Sequence, residues 1–496
     1  MAVDYAVIVL YLVGMLGIGW WGMRRARSRA DFLVAGRRLG PAMYSGTMAA
    51  IVLGGASTIG GVGLGYRYGL SGAWMVITIG LGLLALSVFF SARIARLRVY
   101  TVSEMLDLRY GGAAGVISGV VMWGYTLMLA VTSTIAYATI FDVLFGTDRT
   151  LAIVLGGVIV VAYSTLGGMW SITLTDMVQF VVKTIGVLLL LLPIAVVKAG
   201  GFAAMADRLP GGYFSPLSIG GQTVFTYVLI YSFGMLIGQD IWQRVFTARS
   251  DRVARGAGTV AGSYCLVYAI GGAVIGTAAK VLYPSLGSAD DAFATIVQGT
   301  LPVGVRGLVL AAALSAVMST SSGALIACAT VANNDIWSRL RSRLPGRAAA
   351  KGTTGGEEDE VRGNRLFILV MGAAVIVLAI LVHDVVEALT VAYNLLVGGL
   401  LVPVLAGLVW RRGTAAGAMV SMAAGGLTVL TLMAVLGPLA NEPIYCGLGV
   451  SVVGYVVVSL CTRPTDAAVL AAWRARLAGQ PGTGADGPEA VAHSHA

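Results

Sequence analysis

Ser315, Ser319, Thr320, Ser321 and Ser322 crowd into one stretch, 312-AALSAVMSTSSGALIACATVANNDIW-337, that is otherwise apolar enough to lie in a membrane. Hydroxyl and carbonyl oxygens are the ligands that a small hard cation prefers. Ser319 and Thr320 sit about 100° apart around a helix, and Ala316 precedes them by three and four positions, so its carbonyl faces the same local site. The Ala316 carbonyl and the Ser319 and Thr320 hydroxyls thus make one half of a candidate Na⁺ site. A plainer account has these hydroxyls bonding to their own helix carbonyls or joining neighbouring helices. Spacing alone leaves both open.

The other half needs backbone oxygens that no helix consumes. In 48-MAAIVLGGASTIGGVGLGY-66 the glycines from Gly54 onward give backbone freedom where an unbroken membrane helix would otherwise run. A break there frees carbonyls near Ala50 and Leu53 for a cation.

The elements that must hold these halves together are membrane helices. The 496 residues are 57% hydrophobic and 11% charged, whereas soluble domains are about a quarter charged. The mean hydropathy is +0.86. Apolar runs long enough to cross a core of roughly 30 Å are expected near 4–22, 42–65, 72–92, 114–140, 151–167, 175–197, 219–239, 256–280, 304–334, 365–382, 388–410, 414–437 and 442–461. The fold class expected is an all-α polytopic membrane protein with about thirteen helices. The first run ends in Arg24, Arg25, Arg27 and Arg29 without a small-residue cleavage site, so it reads as a retained helix.

Basic residues sort the loops. They gather at Arg24 to Arg38, Arg93 to Arg109, Arg244 to Arg255, Arg339 to Arg365, Arg411 and Arg412, and in the tail. An odd span count puts all of these on one side, with the N-terminus outside and the C-terminus cytoplasmic. The net charge of +10 follows from this bias and calls for no nucleic-acid partner. Cys265, Cys328, Cys446 and Cys461 show no ligand spacing and read as small buried hydrophobes, and His383, His493 and His495 are too scattered for a transition-metal site. Residues 1–465 read as one transmembrane domain containing a cytoplasmic loop at 344–365, with 466–496 a partly disordered cytoplasmic tail.

Four segments in this order, 59-IGGVGLGYRYGLSGAW-74, 163-YSTLGGMWSITLTDMVQF-180, 238-GQDIWQRVFTARS-250 and 315-SAVMSTSSGALI-326 followed by Asn334, Asp335 and Ile336, resemble the sodium:solute symporter family, particularly its bacterial proline-permease-like branch. The likeness spans roughly residues 5–460. It implies two inverted five-helix repeats, about 42–197 and 219–410, with the second and seventh spans opening them.

It also implies a sodium site made of the Ala50, Leu53 and Ala316 carbonyls and the Ser319 and Thr320 side chains. Asp176, in LTDMVQ, falls where the family often places an acid on the ion's path; a cap or a loop ion pair would serve it equally. Ser57, Trp123, Tyr125, Tyr227 and Tyr231 are substrate-binding candidates, although Tyr227 and Tyr231, four apart, also suit ordinary packing.

The function implied is sodium-coupled uptake of a small polar solute, an amino acid such as proline or a monocarboxylate, by alternating access in the bacterial plasma membrane. Its expected partners are the solute, Na⁺ and the bilayer, with no cofactor and with a monomer sufficient. A sensor or channel on the same fold is the alternative. No buried catalytic pair suggests an enzyme.

Overall fold

A chain this apolar must satisfy its backbone polar groups internally, and helices do so residue by residue. The computed structural model describes residues 2–342, 357–382 and 384–480. Among them the chain is helix after helix, and the only extended pairing is an isolated bridge between Leu39 and Ala248.

Ten helices are long and apolar enough to cross a membrane, or up to eleven when the bent pair Gly221–Ile237 and Gln239–Val245 counts as one, against the thirteen expected. The difference arises because some helical runs continue past a single crossing. Arg149–Lys198 contains 50 residues, and at ~1.5 Å per residue a straight helix of that length would be more than twice a ~30 Å core. It is interrupted at Gly168, whose backbone lies at φ 55° and ψ −139°. A Cβ there would also approach the Phe32 carbonyl oxygen to 2.4 Å, so both conformation and space call for glycine. The 41-residue stretch Ala56–Arg96 likewise contains Gly69, at φ 66°.

The helix bearing the serine-rich segment, Val305–Val331, is the most enclosed. Its apolar membrane window is wholly surrounded by protein, whereas that of Ala2–Met23 is 22% buried. A span shielded from lipid can carry hydroxyls without exposing them to hydrocarbon. It packs against Gly112–Phe145, Arg149–Lys183 and Ala2–Met23, which place the broken second span against its Ser319 face.

Two expectations need correction. Arg244 is fully buried rather than a loop charge, and Arg109 is also buried, donating to the Gly413 carbonyl at 3.1 Å. Cys446 and Cys461 lie on exposed helix faces, in contrast to buried Cys265 and Cys328. The tail forms the helix Ala467–Ala478, whose Trp473 is buried and donates its indole N–H to the Gly407 carbonyl at 2.9 Å. His383, His493, His495 and most of the 344–365 loop lie outside the described residues.

Candidate functional site

The second span does break where its glycines begin. Helix Pro41–Val52 ends at Leu53, which leaves helical conformation at φ −93° and ψ 65°, and the chain resumes in the wide π-helical turn Ala56–Gly60 before Gly61–Tyr68. A helix end leaves carbonyls without backbone partners, and a buried end must find others. All four here accept side-chain donors. Lys183 Nζ donates to the Ala50 carbonyl at 3.1 Å and the Leu53 carbonyl at 2.8 Å. Thr320 donates to Ile51 at 2.6 Å, and Ser57 to Val52 at 3.0 Å.

Ser319 Oγ lies 2.7 Å from the Ala50 carbonyl oxygen and 3.0 Å from that of Ala316, so its one hydrogen bridges the two helices or serves its own. The five residues expected around sodium therefore come together across two elements distant in sequence. The other hydroxyls follow the plainer account: Ser315 donates to Ala311, Ser322 to Ser319, and Ser321 pairs with Thr134 of a neighbouring helix.

This approach depends on Gly54. A Cβ added there would lie 2.1 Å from Thr320 Oγ1 and 2.7 Å from its Cβ. Gly54→Ala is expected to push the two helices apart and lose most uptake, whereas a second change, Thr320→Gly, should recover part of it by clearing the space. Initial uptake rates of both variants at matched protein levels check this.

Next to the break lies a cluster of buried charge. Asp176 accepts from Thr47 and, at 3.1 Å, from Arg244, with both charged side chains fully buried. Arg244 also donates to the Asp240 carbonyl at 3.2 Å, and the Asp240 carboxylate accepts from the Tyr125 hydroxyl at 2.9 Å. Asp176 is thus neither a helix cap nor a loop partner: it is one half of an internal ion pair.

Beside the break, with Asp240 alone of this cluster in its wall, is a cavity of about 30 Å³, lined by Ser57, Thr132, Ser133, Asp240, Thr320 and Tyr393 on its polar side and by Met235, Leu389 and Ile79 among its apolar ones. It holds about one water, so a solute requires the surrounding helices to part. Of the substrate candidates, Ser57 lines this cavity directly. Tyr125 and Tyr231 stand behind Tyr393, with ring centroids 5.4 and 5.5 Å from it. Tyr227 packs on Tyr231, and Trp123 turns its indole N–H to the Met371 sulfur.

Sequence reasoning missed Lys183, Asp240 and Tyr393. Lys183 had a signal: it is a charge well inside the apolar run 175–197, whose other charge, Asp176, stands at its start, and an ionisable residue at membrane depth points to function by default. Asp240 falls one residue beyond the apolar run 219–239, ahead of the basic stretch that begins at Arg244, and carries no signal of its own.

The oxygen set therefore fits a cation in its chemistry but not Na⁺ in its present arrangement, because an ammonium sits at the two carbonyls that sodium would use.

Comparison with known proteins agrees with this architecture. Proteins named sodium/proline symporter from Staphylococcus aureus, strains JH9 and NCTC 8325 among them, are 26% identical over 480 residues, covering 92% of this chain and 91% of theirs. In fold the chain is similar to a Na⁺-coupled sialic acid symporter in a substrate-bound outward-open state, with a TM-score of 0.78, 19% identity, and coverage of 94% of this chain and 99% of that one. It is also similar to Mhp1, a nucleobase-cation-symport-1 family transporter, in a closed conformation, with a TM-score of 0.54, 15% identity, and coverage of 91% and 99%. The family profile matches residues 32–425, and with that match, the broken span and the hydroxyl pair that meets it, the chain belongs to the sodium:solute symporter family.

Proposed function

We propose that the chain is a secondary active symporter that carries a small amine-bearing solute, an amino acid such as proline, across the bacterial plasma membrane by alternating access. The observation that carries the choice of solute is Asp240. A buried carboxylate lining a small cavity attracts an ammonium group and opposes an anion, so the amino-acid class is favoured over monocarboxylates. The relatives named sodium/proline symporter support the same class.

Tyr393, Ser57, Thr132 and Ser133 supply hydroxyls for the solute's other polar atoms, while Met235, Leu389 and Ile79 accept an apolar body. The cavity accommodates this only when the broken span and the bent pair move relative to the enclosed helix, which is the motion alternating access requires. Leu53 and Gly238, where helical conformation lapses, are the places where such motion costs least. Family membership supports Na⁺ as the coupling ion. Each positive charge moved inward gains about 2.3 kcal/mol per 100 mV, which corresponds to tens-fold accumulation.

Purified protein in liposomes, given labelled proline, other small amino acids, acetate, pyruvate, pantothenate and sugars under imposed ion gradients, tests the reading. Concentrative uptake of an amino acid, with monocarboxylates excluded, is the expected result. Uptake of acetate or pyruvate alone would refute the role given to Asp240, and current without accumulation would favour a channel.

A further inference from the structure

The helix-break oxygens and the charges around them bear on what cation this chain uses there, which rests on reading the chain as a symporter. Lys183 is fully buried, projects from the helix that also carries Asp176, and places Nζ 3.1 Å from the Ala50 oxygen and 2.8 Å from the Leu53 oxygen. These are hydrogen-bond lengths. Ser319 approaches the same Ala50 oxygen at 2.7 Å from the other side.

The surroundings point the same way: a carboxylate, Asp176, stands on the same helix as Lys183 and is held by Thr47 and Arg244. The neighbouring groups facing Lys183 include Cys265 on the packed helix Asp251–Leu282 and Asp176 on its own, and Lys183 places its amino group on two of the break's carbonyls.

We propose that Lys183 supplies a tethered ammonium in place of Na⁺ at the carbonyls of Ala50 and Leu53, so that this site binds no sodium. A Na⁺ seated on those oxygens would lie about 4 Å from the ammonium, and at an effective dielectric of about 20 that repulsion weakens its binding roughly 1,000-fold. The lysine cannot leave with the solute. It ties the broken span to the helix that carries Asp176, exports no charge to the cytoplasm, and any sodium that drives this chain binds elsewhere.

The test is equilibrium binding of ²²Na⁺ to the purified full-length protein without solute, for the wild type, Ser319→Ala with Thr320→Ala, Lys183→Met, and Lys183→Met combined with Ser319→Ala and Thr320→Ala. Thermal unfolding verifies that each is folded, and Lys183→Gln replaces the methionine variant if that one fails to fold. The expected result is no saturable millimolar binding at this site in the wild type, a site gained in Lys183→Met with affinity higher by roughly 100- to 1,000-fold, and its loss in the combined variant.

Wild-type sodium binding that Ser319→Ala with Thr320→Ala removes would overturn the proposal, as would a folded Lys183→Met that gains no site. Wild-type binding insensitive to those two changes would put sodium elsewhere, in agreement with it. Because no solute enters this measurement, failure of the whole solute panel would refute the transport reading and leave this result intact.

Discussion

Arg244→Met lowers the stability of the folded protein by on the order of 3–5 kcal/mol, the expected cost of leaving one partner of a buried ion pair uncompensated. Asp176 would keep only Thr47 as a donor to one oxygen, and its other oxygen already has no protein partner. The double variant Arg244→Met with Asp176→Asn should recover most of the loss, because the uncompensated charge is gone and replacing both members of a buried pair is often nearly neutral. Thermal unfolding of the purified single and double variants decides it. A double variant no more stable than Arg244→Met would show that the two side chains do not depend on each other.

Asp240→Asn should have the largest effect on transport with the least on folding. The amide keeps the size of the carboxylate and can still accept from the Tyr125 hydroxyl at the same position. What it loses is the charge facing the cavity. Removing one side of a buried charge pair costs about 3 kcal/mol, which is roughly 100-fold in affinity for an ammonium-bearing solute. The expected result is a rise in KM for proline of that order with the unfolding temperature nearly unchanged. An unchanged KM would remove Asp240 from the solute site and reopen the choice between amino acid and monocarboxylate.

Tyr125→Phe is a milder probe of the same idea. Tyr125 reaches the solute only through Asp240, so its loss should weaken uptake less than Asp240→Asn does, by a few-fold at most.

Membrane residence and helical class were legible in the sequence because lipid permits no other outcome for runs so apolar and so long. The break at Leu53 was legible too: glycines in succession remove the steric preference that keeps a helix continuous. The hydroxyl pair at Ser319 and Thr320 could be recognised by type and spacing within one helix.

Other features depended on distance in space. Whether Ser321 would join the site or bond to Thr134 turns on the azimuth at which its helix packs, which no local pattern encodes. Thirteen apolar runs stand against ten or eleven long helical stretches because helix runs on through Gly168 and Gly69, where the backbone changes direction without a loop to mark it. Arg244 reads as a loop charge because charge density near a helix end looks alike whether the end meets water or turns inward.

The sequence by itself determined that this is a helical membrane protein with a broken span and an oxygen-rich partner helix. Only the tertiary structure decided what lies between them, because the Lys183 ammonium reaches the Ala50 and Leu53 carbonyls across some 130 residues of chain, and the energy of a buried charge is set by its neighbours in space.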